Sequence, residues 1–485
     1  MSAERAISKK GILTKGKQMK TASMMVVILA WAAGPLYGDA SEQPPPVPAE
    51  EQPEVLTRGP VHEAFAEPVD LQFQAGLVAP TLPPANIVEN PPADRPAGAQ
   101  FVWIPGYWSW DSERNSYIWI SGCWRAAPPN MYWVPGYWAK VPEGWEWIAG
   151  FWTPVSDIRQ IEYLPPPPAL DEVQPPGQPP SPENIWVPPS WYWHQGQYIL
   201  RPGYWLMAQA EWVWMPSHYV LTPRGYVFVG GYWDYQLNHR GVLFAPVYFP
   251  RPVYERVGFS YSAYIVIDID NLQFSLFTYP RYHHYYFGDY YDTIYIGVGI
   301  YPWFECERRH TWYDPIYQHN RWHFRRTDPR WEEHERNEYD RRRANKELRP
   351  PRTYHEMETR LAGMPQSQRR NMQMAEPLRT FVTGKAAPLK FERIKNDARE
   401  KLSRHSTDVY TFREERSQWE SSAGGRKTIP PSMERKDSVT QPDRVKIPDS
   451  PVVGKRSFWS AFKKGPPSRP ADERKTEVKN NRRAK

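Results

Sequence analysis

One aromatic motif, W-x-x-G-x-W, recurs along the chain and constrains its fold more than any other feature. Neighbouring copies within a block are 14 residues apart, or 16 at the first and last steps, and the last aromatic position is filled in every copy. Chance does not produce such regularity, so the chain contains a repeat. The copies are Trp103–Trp108, Trp119–Trp124, Trp133–Trp138 and Trp147–Trp152 in a first block, and Trp186–Trp191, Leu200–Trp205, Trp214–Tyr219, Phe228–Trp233 and Phe244–Phe249 in a looser second block.

Each repeat unit predicts one strand followed by one short loop. An aromatic residue often stands two positions before the first aromatic of the motif, as at Phe101 and Tyr117, and this alternation is typical of a strand. Turn-like stretches such as residues 142–144 separate the units. Consecutive strands predict an antiparallel meander. The expected fold is mainly β, built from these repeats, with long proline-rich and basic disordered segments and one charged helix.

The glycine of the motif needs its own explanation. In Pro105-Gly106 and Pro135-Gly136 the proline lacks a backbone donor and the glycine tolerates a positive φ, so the pair predicts a bulge inside the strand. The extra residue of a bulge would return both Trp of a motif to one face. The alternative is that Pro-Gly is a hairpin turn between two very short strands. The glycines predicted to be structural are Gly106, Gly122, Gly136, Gly150, Gly203 and Gly231.

With these residues in view, the repeat resembles the W-x-x-G-x-W (also written Y-x-W-G-x-W) repeat family of exported bacterial proteins. The resemblance covers roughly residues 101–250. It is specific in the first block, whereas Pro189, Ser217 and Val247 replace the glycine in the second. The resemblance implies export, and it brings no catalytic residue and no cofactor.

The N-terminus is typical of an export signal. Three lysines precede an apolar run over residues 24–33, and a small-residue cleavage site ends at Ala40. Cleavage there predicts a secreted or periplasmic protein that is not integral to a membrane. Translation from Met1 and translation from Met19 both remain open, and an uncleaved anchor is the alternative, although the apolar run is short for a span.

Composition divides the chain into segments of different character. Residues 41–300 carry a net charge of −13 and residues 301–485 a net charge of +16, so the excess of basic residues lies in the C-terminal part of the chain. The expected organisation is a signal peptide (1–40), a proline-rich acidic disordered segment (41–100), repeat block 1 (101–152), a proline-rich linker (153–184), repeat block 2 (185–250), a Tyr-rich β region (251–326), a charged helix (327–349) and a basic disordered tail (350–485).

Possible chemistry is sparse in this sequence. His283, His284, Asp289 and Asp292 lie close enough to suggest a metal site, but no metal-binding motif of known spacing surrounds them. We therefore interpret them as polar decoration of a Tyr-rich surface and expect no metal, no cofactor and no enzymatic activity. The two cysteines, Cys123 and Cys306, are too far apart in sequence to predict a disulfide, and unpaired thiols are favoured.

These features favour a non-enzymatic structural or protein-interaction role in the bacterial envelope or extracellular space. One alternative is binding of a cell-wall glycan by exposed Trp and Tyr rings of the repeats; the opposite interpretation is that these rings form the core. A second alternative is binding of an anionic polymer by the basic tail, but export makes nucleic acid an unexpected partner. The residues of the glycan hypothesis are Trp103, Trp108, Trp119, Trp124, Trp133, Trp138, Trp147 and Trp152.

Overall fold

The computed structural model describes residues 52–154, 161–170, 174–250, 252–370, 372–384 and 389–422, which all belong to one compact unit. The predicted signal peptide, residues 41–51 and the tail beyond residue 422 lie outside the described residues. Most of the regular structure consists of short strands in small sheets, and every strand pair is antiparallel. The predicted mainly β fold is confirmed.

The segment before the repeats is part of the fold, so the prediction of disorder over residues 52–100 is wrong. Its strands are very short, and each pairs with a strand far along the chain. Val61, Phe65 and Val69 are buried in the main core, so the few apolar residues of this segment are placed between other elements. Average composition does not reveal that arrangement. The strands are β1 (Glu54–Val55), β2 (Gly59–Pro60), β3 (Val69–Asp70), β4 (Val78–Ala79) and β5 (Asp94–Pro96).

Two consecutive motifs form one long hairpin, and four such hairpins account for eight of the nine motif copies. We name them hairpin 1 (101–126), hairpin 2 (131–154), hairpin 3 (184–207) and hairpin 4 (212–235). Each arm carries one motif and consists of two short strands. The strands of hairpins 1 and 2 are β6 (Phe101–Ile104), β7 (Tyr107–Asp111), β8 (Ser116–Ile120), β9 (Cys123–Ala126), β10 (Met131–Val134), β11 (Tyr137–Val141), β12 (Gly144–Ile148) and β13 (Phe151–Pro154). The linker contributes β14 (Tyr163–Leu164). The strands of hairpins 3 and 4 are β15 (Asn184–Val187), β16 (Ser190–His194), β17 (Gln197–Arg201), β18 (Tyr204–Met207), β19 (Trp212–Met215), β20 (His218–Leu221), β21 (Tyr226–Val229) and β22 (Tyr232–Tyr235).

The pairing register runs through each hairpin without a shift. In hairpin 1, Ile104 pairs with Cys123 before the Pro-Gly step, and Tyr107 pairs with Ile120 after it. Each arm therefore has two residues at the interruption and none in excess. The predicted bulge is wrong, and none of the six motif glycines has a positive φ. The Pro-Gly step is not a turn either, because the strands on both sides of it pair with the opposite arm.

Each arm pairs with the other arm of its own hairpin. The antiparallel arrangement that the repeat predicts is therefore divided into separate hairpins. The linker strand β14 adds to β21 of hairpin 4. The ninth motif copy has no partner copy, and its strands β23 (Gly241–Val242) and β24 (Val247–Tyr248) add to hairpin 1 through β9 and β8. Strand β24 also pairs with β1, which ties the first described segment to the repeats.

The Tyr-rich region contains helices as well as strands, which the prediction of a β region did not include. Helix α5 lies inside the range predicted for the charged helix. The buried Cys123 and Cys306 both have free thiols. The elements are β25 (Ile265–Ile267), α1 (Ile269–Phe274), β26 (Leu276–Tyr279), β27 (His284–Phe287), α2 (Thr293–Gly297), β28 (Tyr301–Pro302), α3 (Cys306–Arg309), β29 (Trp312–Tyr313), α4 (Pro315–Arg325) and α5 (Trp331–Ala344).

Residues 350–422 were expected to be disordered, and this prediction is also wrong. The last helix, α9, buries Leu402 and Phe412 together with Arg413 and Arg416, whose charges meet partners on the repeats. Charged residues that composition counts as solvated are thus part of the core. None of the helices in the described ranges combines the length and apolar character needed to cross a membrane. The elements are α6 (Tyr354–Ala362), α7 (Gln366–Arg369), β30 (Ala375–Pro377), α8 (Leu378–Thr383), β31 (Phe391–Arg393) and α9 (Asn396–Ser421).

Candidate functional site

The eight Trp residues proposed for glycan binding lie in hairpins 1 and 2. All are buried except Trp138, which is half-buried and donates its indole N–H to the Trp108 carbonyl (2.8 Å). Buried rings offer no face on which a sugar could stack, so these residues belong to the core instead of a binding surface. They pack as cross-strand pairs with ring centroids 5.2–5.3 Å apart: Trp103 with Trp124, Trp108 with Trp119, Trp133 with Trp152 and Trp138 with Trp147.

The motif glycines allow these rings to cross the opposite arm. A Cβ added at Gly122 would lie 2.5 Å from Cζ2 of Trp103, and one at Gly150 would lie 2.3 Å from Cζ2 of Trp133. Such distances are shorter than van der Waals contact, so no larger residue fits without displacing the ring. The requirement for glycine is therefore close approach rather than backbone conformation. Gly106, Gly136 and Gly203 are crowded in the same way, and Gly231 is the equivalent residue of hairpin 4.

The interruption in hairpin 1 leaves backbone donors without a strand partner, and a buried carboxylate accepts them. The Glu89 carboxylate lies 2.9 Å from the Gly106 nitrogen, 2.9 Å from the Gly122 nitrogen and 3.0 Å from Nε1 of Trp119. We call this arrangement a glutamate clamp. Burial raises the pKa of Glu89, while its hydrogen bonds to Gly122 and Trp119 favour the charged form.

Hairpin 2 has the same clamp, built from Glu63. Its carboxylate accepts hydrogen bonds from the nitrogens of Gly136 (3.2 Å) and Gly150 (3.1 Å) and from Nε1 of Trp147 (3.1 Å). Burial raises the pKa of Glu63 to about 7. Both glutamates come from the segment before the repeats, so this segment completes the hydrogen bonding of two hairpins.

Helix α9 satisfies the carbonyl groups of the same interruptions. Arg413 donates to the Gly106 carbonyl (2.9 Å), and Arg416 donates to the Pro135 carbonyl (2.9 Å). Glu420 pairs with Arg416 over 2.7 Å. Glutamates from the first described segment and arginines from the last helix thus meet at hairpins 1 and 2. Every one of these groups is buried, so the arrangement holds the fold together and offers no access to a substrate.

A comparison of the four hairpins explains why, among the residues that the structure describes, only hairpins 1 and 2 have a clamp. A clamp occurs where both arms carry glycine and where Trp begins the second motif. Hairpins 3 and 4 lack one glycine and that Trp, so a carboxylate would meet fewer donors there. The three positions are Gly106, Gly122 and Trp119 in hairpin 1, Gly136, Gly150 and Trp147 in hairpin 2, Pro189, Gly203 and Leu200 in hairpin 3, and Ser217, Gly231 and Phe228 in hairpin 4.

Hairpin 3 differs from the others in a second way, because much of its surface faces solvent. Ile199, Leu200 and Met207 are 46%, 43% and 61% exposed. The pair Trp186–Trp205 has the same cross-strand packing as its equivalents, with ring centroids 5.2 Å apart, but it is only half-buried. We use the term aromatic face of hairpin 3 for its partly exposed surface, which includes both sides of the hairpin, and this surface is the candidate functional site. It comprises Trp186, Trp191, Trp193, Tyr198, Ile199, Leu200, Trp205 and Met207. Within it, the cross-strand pairs Trp191–Leu200 and Trp193–Tyr198 lie on one side of the hairpin.

Hairpin 4 packs against part of hairpin 3. Tyr219 of hairpin 4 donates to the Trp191 carbonyl (2.7 Å), and its ring lies 6.2 Å from that of Tyr198. Tyr192 packs against Phe228 with centroids 5.0 Å apart. Hairpin 3 is therefore fixed on hairpin 4 through Trp191, Tyr192 and Tyr198, while the neighbouring Ile199 and Leu200 stay exposed.

The interpretation of the histidine and aspartate cluster as decoration of a Tyr-rich surface is wrong, because His283, His284 and Asp289 are buried. Nε2 of His284 forms a hydrogen bond of 2.6 Å with the Tyr107 hydroxyl. Burial lowers the pKa of His284 to about 3. Asp289 and Asp292 instead form ion pairs with Arg349 over 3.5 and 3.0 Å. In the described ranges no group of three or more potential metal ligands converges.

The repeat matches a known family. A family model described as WXXGXW repeat (2 copies) matches residues 100–125, 129–153 and 212–236. Each match covers one hairpin with both of its motif copies, to within one residue of the hairpin's end, and the matched hairpins are 1, 2 and 4. Hairpin 3 lies outside all three matches. No curated protein and no solved structure matches the chain.

Proposed function

We propose that this chain, a WXXGXW-repeat protein, is a non-enzymatic interaction protein that binds its partner through the aromatic face of hairpin 3. The main support is a difference in burial between hairpins that share the same architecture. In hairpins 1, 2 and 4 the Trp pair farther from the turn is buried, whereas the equivalent pair of hairpin 3, Trp186 and Trp205, reaches the surface. Partly exposed aromatic rings beside exposed aliphatic side chains are typical of interaction sites.

The proposal places this interaction outside the cytoplasm. The lysine-rich start, the apolar run over residues 24–33 and the small-residue site ending at Ala40 support export. The partner is then a component of the bacterial envelope or of the extracellular space. A glycan is a second candidate partner for this face, since sugar rings also stack on exposed Trp.

The proposal is tested by site-specific photo-crosslinking in the producing cells. A photoreactive residue at Met207, which is 61% exposed on the aromatic face, is expected to form adducts that fractionate with the envelope. The same residue at the fully exposed Val257, outside the repeats, serves as the matched control and is expected to form none. Adducts should contain a mature chain that begins near Ser41.

Equal crosslinking at both positions would contradict a specific face, and recovery of the full-length precursor in the cytoplasm would contradict export. Replacement of the exposed Leu200 by Glu should abolish the adducts at position 207 without unfolding the chain, because this side chain is already partly in water.

A further inference from the structure

The proline-rich linker of this chain lies against the aromatic face of hairpin 3. The Tyr198 hydroxyl donates to the Pro165 carbonyl, and Nε1 of Trp191 donates to the Ala169 carbonyl over 3.4 Å. Burial raises the pKa of Tyr198, so the phenol keeps its proton and remains a donor. Two aromatic donors therefore contact two carbonyls four residues apart on one extended segment.

The sequence of the linker favours the polyproline II conformation. Residues 165–168 are four consecutive prolines, each with its φ near −65°, and a residue that precedes proline is driven to an extended ψ. Such a run forms a polyproline II helix, whose carbonyls have no internal partner and point outward. Residues 165–170 form no regular secondary structure, and Pro165, Pro167 and Leu170 are half-buried while the residues between them are exposed.

Strand β14 delivers the segment to this position. Tyr163 and Leu164 pair with Val227 and Tyr226 of hairpin 4, which packs against hairpin 3. The prolines follow immediately, so the chain passes from a sheet edge onto the aromatic face. Recognition of a proline-rich segment by aromatic rings and their polar N–H or O–H groups is a general mode of peptide binding.

We infer that the aromatic face of hairpin 3 binds proline-rich polypeptides in the polyproline II conformation, and that residues 165–169 are its resident intramolecular ligand. The inference rests on the proposed function and names the class of partner for that face. A partner segment must present two carbonyl groups four residues apart, with prolines between them. Because the linker is tethered, its effective concentration reaches the millimolar range, and an external segment must compete with it.

The test uses the full mature chain with residues 165–168 replaced by Gly-Ser-Gly-Ser, which removes the resident prolines. Isothermal titration with a synthetic peptide of residues 162–170 should show binding to this opened variant. The wild-type chain should bind the same peptide about tenfold more weakly or worse, since the resident segment competes. A peptide with its four prolines replaced by alanine is the matched control and should not bind.

Tyr198→Phe in the opened variant removes one donor and keeps the ring. It should weaken peptide binding about three- to tenfold, the factor that corresponds to one hydrogen bond. Thermal unfolding of both variants verifies that they remain folded, and a drop in affinity at unchanged stability distinguishes recognition from a structural effect.

Two results would overturn the inference. One is equal affinity for the proline and alanine peptides, or no binding of either by the folded opened variant. The other is binding of chitotetraose, a glycan probe, in place of the peptide. Either result leaves the proposed function standing if crosslinking at position 207 persists, whereas loss of that crosslinking removes the proposed function itself.

Discussion

Gly136→Val is expected to destabilise the protein by about 3–5 kcal/mol, among the largest effects of any single substitution in the repeats. The new Cβ would lie 2.6 Å from Cζ2 of Trp147, 2.7 Å from the Ile148 carbonyl oxygen and 2.7 Å from a Glu63 carboxylate oxygen. The ring and the clamp cannot both stay in place, so packing and hydrogen bonds are lost together. Chemical denaturation of the purified chain measures the change in free energy of unfolding.

Gly297→Ala is the matched control for this substitution. Gly297 lies at the end of α2 with no atom within 4 Å of an added Cβ, and its φ is not positive. The change should be neutral or stabilising by up to about 1 kcal/mol. A neutral Gly136→Val would show that the Trp147 ring does not cross the opposite arm as the structure has it.

Glu89→Ala is expected to cost about 3–6 kcal/mol, because it leaves three buried donors without an acceptor at about 1–3 kcal/mol each, partly relieved by water. The donors are the nitrogens of Gly106 and Gly122 and Nε1 of Trp119. Hydrogen exchange at the two glycine amides should become faster, since the amides lose their partner. The free energy of unfolding and this exchange are measured on the same variant.

Two further variants make the clamp prediction specific. Glu89→Gln keeps the shape and one accepting oxygen, so it should cost less than Glu89→Ala. Glu255→Ala, at an exposed position, should change stability by less than about 0.5 kcal/mol. If Glu89→Ala and Glu255→Ala had the same small effect, Glu89 would not support hairpin 1.

The sequence predicted the repeat architecture well because its signal is local. Period-two alternation and motif spacing depend on neighbouring residues, and they led to one strand arm per motif with antiparallel pairing. The function of the glycine was misinterpreted for the same reason. The atoms that exclude a side chain at Gly122 belong to Trp103 on the opposite arm, and a single strand gives no indication of them.

The clamps could not be predicted because they join distant parts of the chain. Glu63 and Glu89 lie in a segment that composition marks as disordered, and Arg413 and Arg416 lie in one that looks like a basic tail. A buried carboxylate or guanidinium is recognised only through its partners, which lie up to several hundred residues away.

Two substituted motif positions distinguish hairpin 3 in the sequence. Pro189 and Leu200 depart from the motif at two of the three clamp positions, which marks this hairpin as different. However, substitution at a clamp does not by itself indicate exposure, because hairpin 4 is also substituted and yet buries Trp214 and Trp233. Exposure followed only from the packing of the hairpins on other elements.

Hairpins 1, 2 and 4 bury the Trp pair farther from the turn, whereas hairpin 3, which we propose as the binding site, leaves its rings partly exposed. Oxidative footprinting with residue-level mass spectrometry measures this difference. The structure predicts that Trp186, Trp191, Trp193 and Trp205 are oxidised several times faster than Trp103, Trp124, Trp214 and Trp233 in the native chain. Equal oxidation rates for the two sets, or slower oxidation in hairpin 3, would show that the rings of hairpin 3 are not more exposed than those of the other hairpins.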